Sequence, residues 1–258
     1  MTELLISDFL TGLMVFIRIG AMLSFVPFYN SNSIPMLVRF TLALILTYII
    51  FFNIEPYPFK EDESILYLFL FGFKEVLVGI IMGFTLNIVF QGIAFAGLLV
   101  GREMGLAMSS MFDPVSGNDG NIVATLLSMT SVMVFVLING HHFVVESLSY
   151  SFTVIPIGGF VVTESAYDLI IKYSGSIFIL AVKIASPIIV AFFLIHLASG
   201  IVARVSPTFQ VFFVLLPLKI GLGLFLLALV TPLYIYLFRN LILEYEDKLL
   251  EIVKVLNY

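Results

Sequence analysis

Five charged side chains stand inside long apolar runs: Arg18, Lys74, Glu75, Lys183 and Lys219. An unpaired charge at a helix centre in hydrocarbon costs about 2.5–3.5 kcal/mol, so such groups turn toward protein or water and mark a polar pathway or an assembly interface. The plainer alternative is snorkelling, in which a long side chain near a helix end reaches the water boundary. Four of the five are basic, which does not resemble a carboxylate relay for protons. Among the histidines, His141 and His142 are neighbours that point about 100° apart on a helix, and His196 stands alone. No H-E-x-x-H and no third clustered donor supports a metal site. No G-x-S-x-G or defensible Ser–His pattern supports nucleophilic catalysis, and no phosphate-binding loop supplies energy. The expectation is a non-enzymatic protein without cofactor or metal.

Two further patterns carry physical meaning. Met104, Met108 and Met111 are spaced four and three, share one helix face and lead into Phe112. Thioethers are flexible and polarisable and conform to irregular surfaces, which suits either a deformable seal or ordinary core filling. Position favours the seal, because the methionines run straight into Asp113-Pro114 and then Gly117-Asn118-Asp119-Gly120, which force a loop. Gly79 and Gly83 form one small-xxx-small pair, and Gly97, Gly101 and Gly105 recur every four residues. Such stripes let helix backbones approach closely, although glycine is also simply common in membrane helices.

The elements that position these residues follow from run length. Residues 64–100 contain two charges, 176–203 one, and 205–238 one. A hydrocarbon core of about 30 Å needs roughly 20 apolar helical residues, and the chain supplies several such stretches. With 61% hydrophobic and 11% charged residues over 258 positions, it has too little polar surface for a soluble fold. The class is all-α, a polytopic helical membrane protein with about six long apolar helices. A net charge of −5 with scattered Lys and Arg argues against nucleic acid. The absence of cysteine excludes disulfides and thiolate chemistry. The first apolar stretch follows acidic residues rather than a basic n-region, so it reads as an anchor, not a cleaved leader.

The pattern predicts segment one over 9–29 and segment two over 35–54, followed by a polar loop over 55–63. A third segment, 64–100, would span about 55 Å as one helix, and either breaks near Gly79 to Gly83 or protrudes past the hydrocarbon. Segment four covers 121–139, with continuation to Ile155 as the alternative, before a turn at Ile155-Pro156-Ile157-Gly158-Gly159. A less apolar helix runs through Tyr173, segment five covers 176–198, and segment six covers 209–238. The tail from Arg239 is amphipathic, with Ile242, Tyr245, Leu249, Ile252 and Leu256 on one face. The acidic 55–63 loop against Arg39, Arg102 and Arg204 near links of opposite parity places both termini outside.

At this level of detail the chain resembles the FliR family of flagellar export-apparatus membrane proteins and their virulence-type secretion counterparts. The resemblance is carried by Met104-Gly105-Leu106 with Phe112-Asp113-Pro114, Asn139-Gly140-His141, Ser151-Phe152 with Pro156-Ile157-Gly158, Arg204-Val205-Ser206-Pro207 before Gln210-Val211-Phe212, and Pro217-Leu218-Lys219. It implies a single membrane domain, with a FliP-like part over about 1–175 and, over 176–258, a FliQ-like hairpin plus the C-terminal helix. The hairpin would turn near Arg204, Ser206, Pro207 and Gln210. It also implies a subunit of the type III export gate in the bacterial inner membrane at the flagellar basal body. Its partners would be several copies of FliP and FliQ, FlhB, and unfolded export substrates. The family's plug loop would map onto about Met104 to Asn121, and family assemblies project beyond the ordinary bilayer plane, which suits the overlong third segment.

Two rival functions come from other classes. A secondary transporter for a small solute would suit the buried charges and a broken long helix, but the sequence shows no internal repeat and no paired carboxylates. An intramembrane enzyme would need a Ser–His or metal constellation that the sequence does not supply.

Overall fold

The structure is a computed structural model that describes residues 2–26, 29, 34–59, 64–106, 121–161, 163–205 and 211–256. These residues form helices joined by turns: α1 (Thr2–Leu23), α2 (Met36–Phe51), α3 (Ile65–Glu103), α4 (Ile122–Leu137), α5 (Gly140–Val154), α6 (Glu164–Val205) and α7 (Val211–Val255). Four of them, α1, α3, α6 and α7, are long and apolar enough to cross a membrane, and the bent pair α4–α5 makes a fifth candidate. With the shorter apolar α2, these account for the six apolar segments of the sequence.

Boundaries differ from the sequence reading in instructive ways. Segment three does not break: α3 is one helix of 39 residues, about 58 Å long, and Gly79 and Gly83 lie within it. Segment four does break, at Asn139, which adopts a left-handed φ of 62°. Asparagine tolerates that conformation better than other side chains except glycine. The helix expected to end at Tyr173 and segment five merge into α6, 42 residues long. Segment six and the amphipathic tail merge into α7, 45 residues long. Pro187 in α6 and Pro217 and Pro232 in α7 lie inside these helices. Segment one stops at Leu23 rather than Tyr29, and segment two at Phe51.

The chain divides into two compact units, residues 1–88, 135–174 and 242–258 in the first, and 89–134 and 175–241 in the second. In the first unit, Val15, Ile19 and Met22 of α1 meet a core that includes Val78, Met82 and Leu86 of α3 and Val144 and Leu148 of α5, all fully buried. The C-terminal part of α7 belongs to this unit, and Ile242, Tyr245, Leu249 and Ile252 are at most 1% exposed. In the second unit Ile93, Ala96 and Val100 of α3, Ile184 and Phe192 of α6, and Phe238 of α7 are buried.

Close helix contact in the first unit depends on glycine at two points. A Cβ on Gly79 would strike the Arg18 carbonyl and lie 2.7 Å from Ala21 Cβ, and one on Gly83 would lie 2.6 Å from the Met22 carbonyl. Gly20 on α1, by contrast, has nothing within 4 Å of such an atom. Gly79→Ala is therefore expected to destabilise by about 1–3 kcal/mol, the scale of overpacking. Gly20→Ala should be neutral or stabilise by up to about 1 kcal/mol through helix propensity. Thermal unfolding of the two variants in one detergent checks this, and equal midpoints would contradict the close approach of α1 and α3.

Candidate functional site

Adjacent residues on α3 send their charges to different places. Lys74 and Glu75 are successive on a helix, so their side chains diverge by about 100°. Glu75 turns inward and accepts the Arg18 Nε hydrogen bond at 2.6 Å, with both side chains fully buried. Its other oxygen accepts the Gly158 backbone N–H at 2.8 Å. Arg18 Nη1 donates to the Ser151 carbonyl and the Ile155 carbonyl, each at 3.1 Å, and to Ser151 Oγ at 3.3 Å. Its guanidinium carbon lies 4.0 Å from the Phe152 ring centroid. The Ser151 carbonyl accepts the Ile155 N–H at 2.8 Å as well, so both of its lone pairs are used, and Ile155 itself is the residue that caps the end of α5.

The turn after α5 completes this node. Gly158 has φ 75°, and any Cβ there would collide with the Phe71 ring, so glycine is needed both for its dihedral and for space. That turn offers the Gly158 N–H to Glu75 and the Gly158 carbonyl to Lys74 Nζ at 3.1 Å. The sequence reading placed a turn here but assigned it no partners. It also gave Arg18 and Lys74 a choice between snorkelling and burial, and Arg18 is wholly buried while Lys74 is partly exposed.

In the second unit the end of α3 is fixed by geometry. Gly105 has φ 80°, its N–H donates to the Arg102 carbonyl at 3.0 Å, and the Leu106 N–H donates to the Gly101 carbonyl at 3.1 Å. That hydrogen-bond pair is a Schellman stop with glycine at its left-handed position. Gly105 is therefore the helix terminator rather than the third member of a packing stripe. Gly97 and Gly101 do sit at a close contact: a Cβ on Gly97 would lie 2.5 Å from Ala124 Cα, and one on Gly101 would strike the Asn121 side chain. Asn121 Oδ1 accepts the Val123 and Ala124 N–H groups, capping α4, while Nδ2 donates to the Leu98 carbonyl on α3. Asparagine ahead of an apolar run is a recognisable cap signal; its second bond to α3 carries no sequence signal.

Met104 is fully buried against α7, where a Cβ on Gly223 would lie 2.5 Å from its Cγ. Beside it, Lys219 Nζ and His196 Nε2 are 2.5 Å apart, and His196 Nδ1 is 3.8 Å from Glu103 Oε2. A charged lysine ammonium can only donate, which makes His196 Nε2 the acceptor of this contact while Nδ1 faces Glu103. His196, solitary in the sequence, gains both partners only through packing. Lys183 is exposed on α6, and its ammonium has no hydrogen-bond or ion-pair partner among the described residues; Arg204 is exposed in the last turn of that helix. Met108, Met111, Phe112, Asp113, Pro114, Gly117, Gly120, Ser206, Pro207 and Gln210 lie outside the described residues.

A buried ion pair, a proline-bearing helical pair and an apolar loop entrance do not by themselves name a function. Comparison with known proteins does. The family model described as bacterial export proteins, family 1, matches residues 9–245. The chain belongs to that family. Similar members include the flagellar biosynthetic protein FliR of Bacillus subtilis (strain 168), 30% identical over 250 residues, 94% of this chain and 95% of the relative. FliR of Pectobacterium carotovorum subsp. carotovorum is 29% identical over 244 residues, 94% and 92% of the two chains. FliR of Escherichia coli (strain K12) is 28% identical over 242 residues, 93% and 91%. The matched span takes in the Arg18 node, the Met104 turn and the Lys219–His196 contact, and the export family provides the frame for them. No group of three or more His, Cys, Asp or Glu among the described residues is placed to hold a metal ion.

Proposed function

We propose that this chain is a non-enzymatic subunit of a flagellar type III protein export gate in the bacterial inner membrane, associated with the basal body. It helps form and close the channel through which unfolded substrates pass. Membership of the export family and the flagellar names of its relatives support the setting. The observation that supports a gating role is the Met104–Gly105 turn: a fully buried methionine and a glycine stop fix the point from which the methionine-bearing stretch departs. Met108, Met111 and Phe112 form the apolar constriction, Met104 roots it from its buried site against α7 instead of lining it as the spacing suggested, and Asp113-Pro114 with Gly117 and Gly120 let it move aside. Thioethers suit the task because they reshape around unlike side chains.

In this reading the chain has a FliP-like part over about 1–175 and a FliQ-like hairpin beyond it, turning at Arg204, Ser206, Pro207 and Gln210. Copies of FliP and FliQ, and FlhB, are its neighbours. Exposed Lys183, amid the exposed Phe178, Ile179 and Val182, supports a protein neighbour there, since bare lipid is a costly surrounding for an ammonium. Arg18, Lys74, Glu75 and Lys219 then hold the shape that those neighbours meet.

Shortening residues 106–118 in an assembled gate is expected to raise ion leak across the membrane with assembly intact. Conductance of the reconstituted complex, beside its composition by mass, checks this. A correctly assembled complex with unchanged leak would remove the plug role.

A further inference from the structure

The buried node in the first unit leaves a charge uncancelled. Arg18 and Glu75 neutralise each other, and Lys74 adds one positive charge in a run whose only other charged residue over 64–100 is Glu75. A lysine ammonium has three donors, and Lys74 uses one of them, on the Gly158 carbonyl. Lys74 also lines a cavity of about 560 Å³ with Tyr57, Tyr67, Phe71, Pro156 and Gly158. That volume far exceeds the space of a single water.

The walls of this cavity are held in place. Ser7 Oγ donates to the Tyr57 carbonyl at 2.6 Å, and the Tyr57 N–H donates to Thr11 Oγ1 at 3.1 Å. The rings of Tyr57 and Phe71 have centroids 4.9 Å apart, and those of Tyr67 and Phe71 5.4 Å. The two tyrosine hydroxyls lie 3.5 Å from each other. Tyr57 belongs to the polar link before α3 and Tyr67 to its first turn, so this end of α3 meets the water boundary, where tyrosine is enriched in membrane proteins. Helical side chains lean toward the helix N-terminus, which carries the Lys74 ammonium back toward that boundary. On the neighbouring face of α3, Leu66, Phe69, Leu70 and Phe73 are exposed.

We propose that this cavity binds the phosphate headgroup of a membrane phospholipid, with Lys74 as its anchor and the exposed face of α3 against its acyl chains. A phosphodiester carries one negative charge, which matches the one left over by Arg18, Glu75 and Lys74. It also accepts hydrogen bonds from the remaining ammonium donors and from tyrosine hydroxyls. Basic pockets at membrane helices bind lipid headgroups by this chemistry, and an apolar face beside the cation selects an anion that brings its own chains.

The test uses the full chain, purified with its co-assembling partners in mild detergent, stripped of lipid and examined by native mass spectrometry. The probes are phosphatidylglycerol, diacylglycerol with the same chains, and soluble glycerophosphate, each titrated separately. Phosphatidylglycerol should stay bound, and Lys74→Gln should weaken it about tenfold or more, the scale of one charge-assisted hydrogen bond, with Lys74→Arg restoring most of it. Leu70→Trp, on the exposed cavity wall and clear of the ion pair, should cause a similar loss, so the proposal stays testable even when Lys74→Gln does not fold. Equal retention of phosphatidylglycerol by wild type, Lys74→Gln and Leu70→Trp would overturn it. So would equal binding of diacylglycerol, which means an apolar groove only, or of glycerophosphate, which means a free-anion site. A photo-crosslinker at position 70 should capture lipid; capture of a partner polypeptide in its place would assign the cavity to a protein neighbour and end the proposal.

Discussion

A chain truncated after Leu241 is expected not to accumulate in folded form, although it keeps every apolar span. The tail it loses carries Ile242, Tyr245, Leu249, Ile252, Val253 and Leu256, each at most 1% exposed. Burial of such side chains stabilises by about 1.5–3 kcal/mol apiece, so their loss rivals the whole stability of a typical domain, about 5–15 kcal/mol. Polar contacts set the register. Tyr173 Oη donates to Glu251 at 2.5 Å, Thr163 Oγ1 to the Val255 carbonyl at 3.4 Å, and Lys248 Nζ sits 4.0 Å from the Tyr245 ring centroid. Glu244→Ala, which removes only the exposed i,i+4 pair with Lys248, should change stability by less than about 1 kcal/mol. Limited proteolysis of membranes from the three strains reads the difference. Wild-type protection of residues 1–88 in the truncated chain would show that the tail is dispensable to the first unit.

The second large effect concerns the Arg18–Glu75 pair. Arg18→Leu or Glu75→Leu alone should destabilise by about 3–5 kcal/mol, because each leaves a charge buried without its partner. Arg18→Leu also strips the Ile155 carbonyl of its Arg18 donor and leaves the Ser151 carbonyl with the Ile155 N–H alone, and Glu75→Leu strips the Gly158 N–H of its acceptor. The double variant Arg18→Leu/Glu75→Leu should recover much of that loss, since an apolar pair of suitable volume often matches a buried ion pair. A double-mutant cycle on thermal midpoints, in one detergent, isolates the coupling. Additive losses would mean that the two side chains do not interact in the folded protein.

Composition and run length alone established an all-helical membrane protein, because hydrocarbon demands about 20 apolar residues per crossing and few other folds tolerate 61% hydrophobic content. Local chemistry also marked the turn at Pro156 to Gly159 and the start of α4 at Asn121. What local chemistry left open was continuity. Glycines at 79 and 83 permit a break in a long helix, yet α3 stays whole because α1 lies flush against that surface. At Asn139, where the sequence reading bounded segment four but left a continuation to Ile155 open, the chain does turn. The charges were visible as anomalies, but not their pairing: Arg18 meets Glu75 across 57 residues and Ser151 across 133. Which of two adjacent charges on α3 becomes half of a buried pair and which opens into a cavity is a question of helix rotation, and packing against α1 and the α5 turn fixes that rotation. Periodicity records the apolar face of each helix, but the partner of a polar group across the fold depends on distances that no single segment encodes.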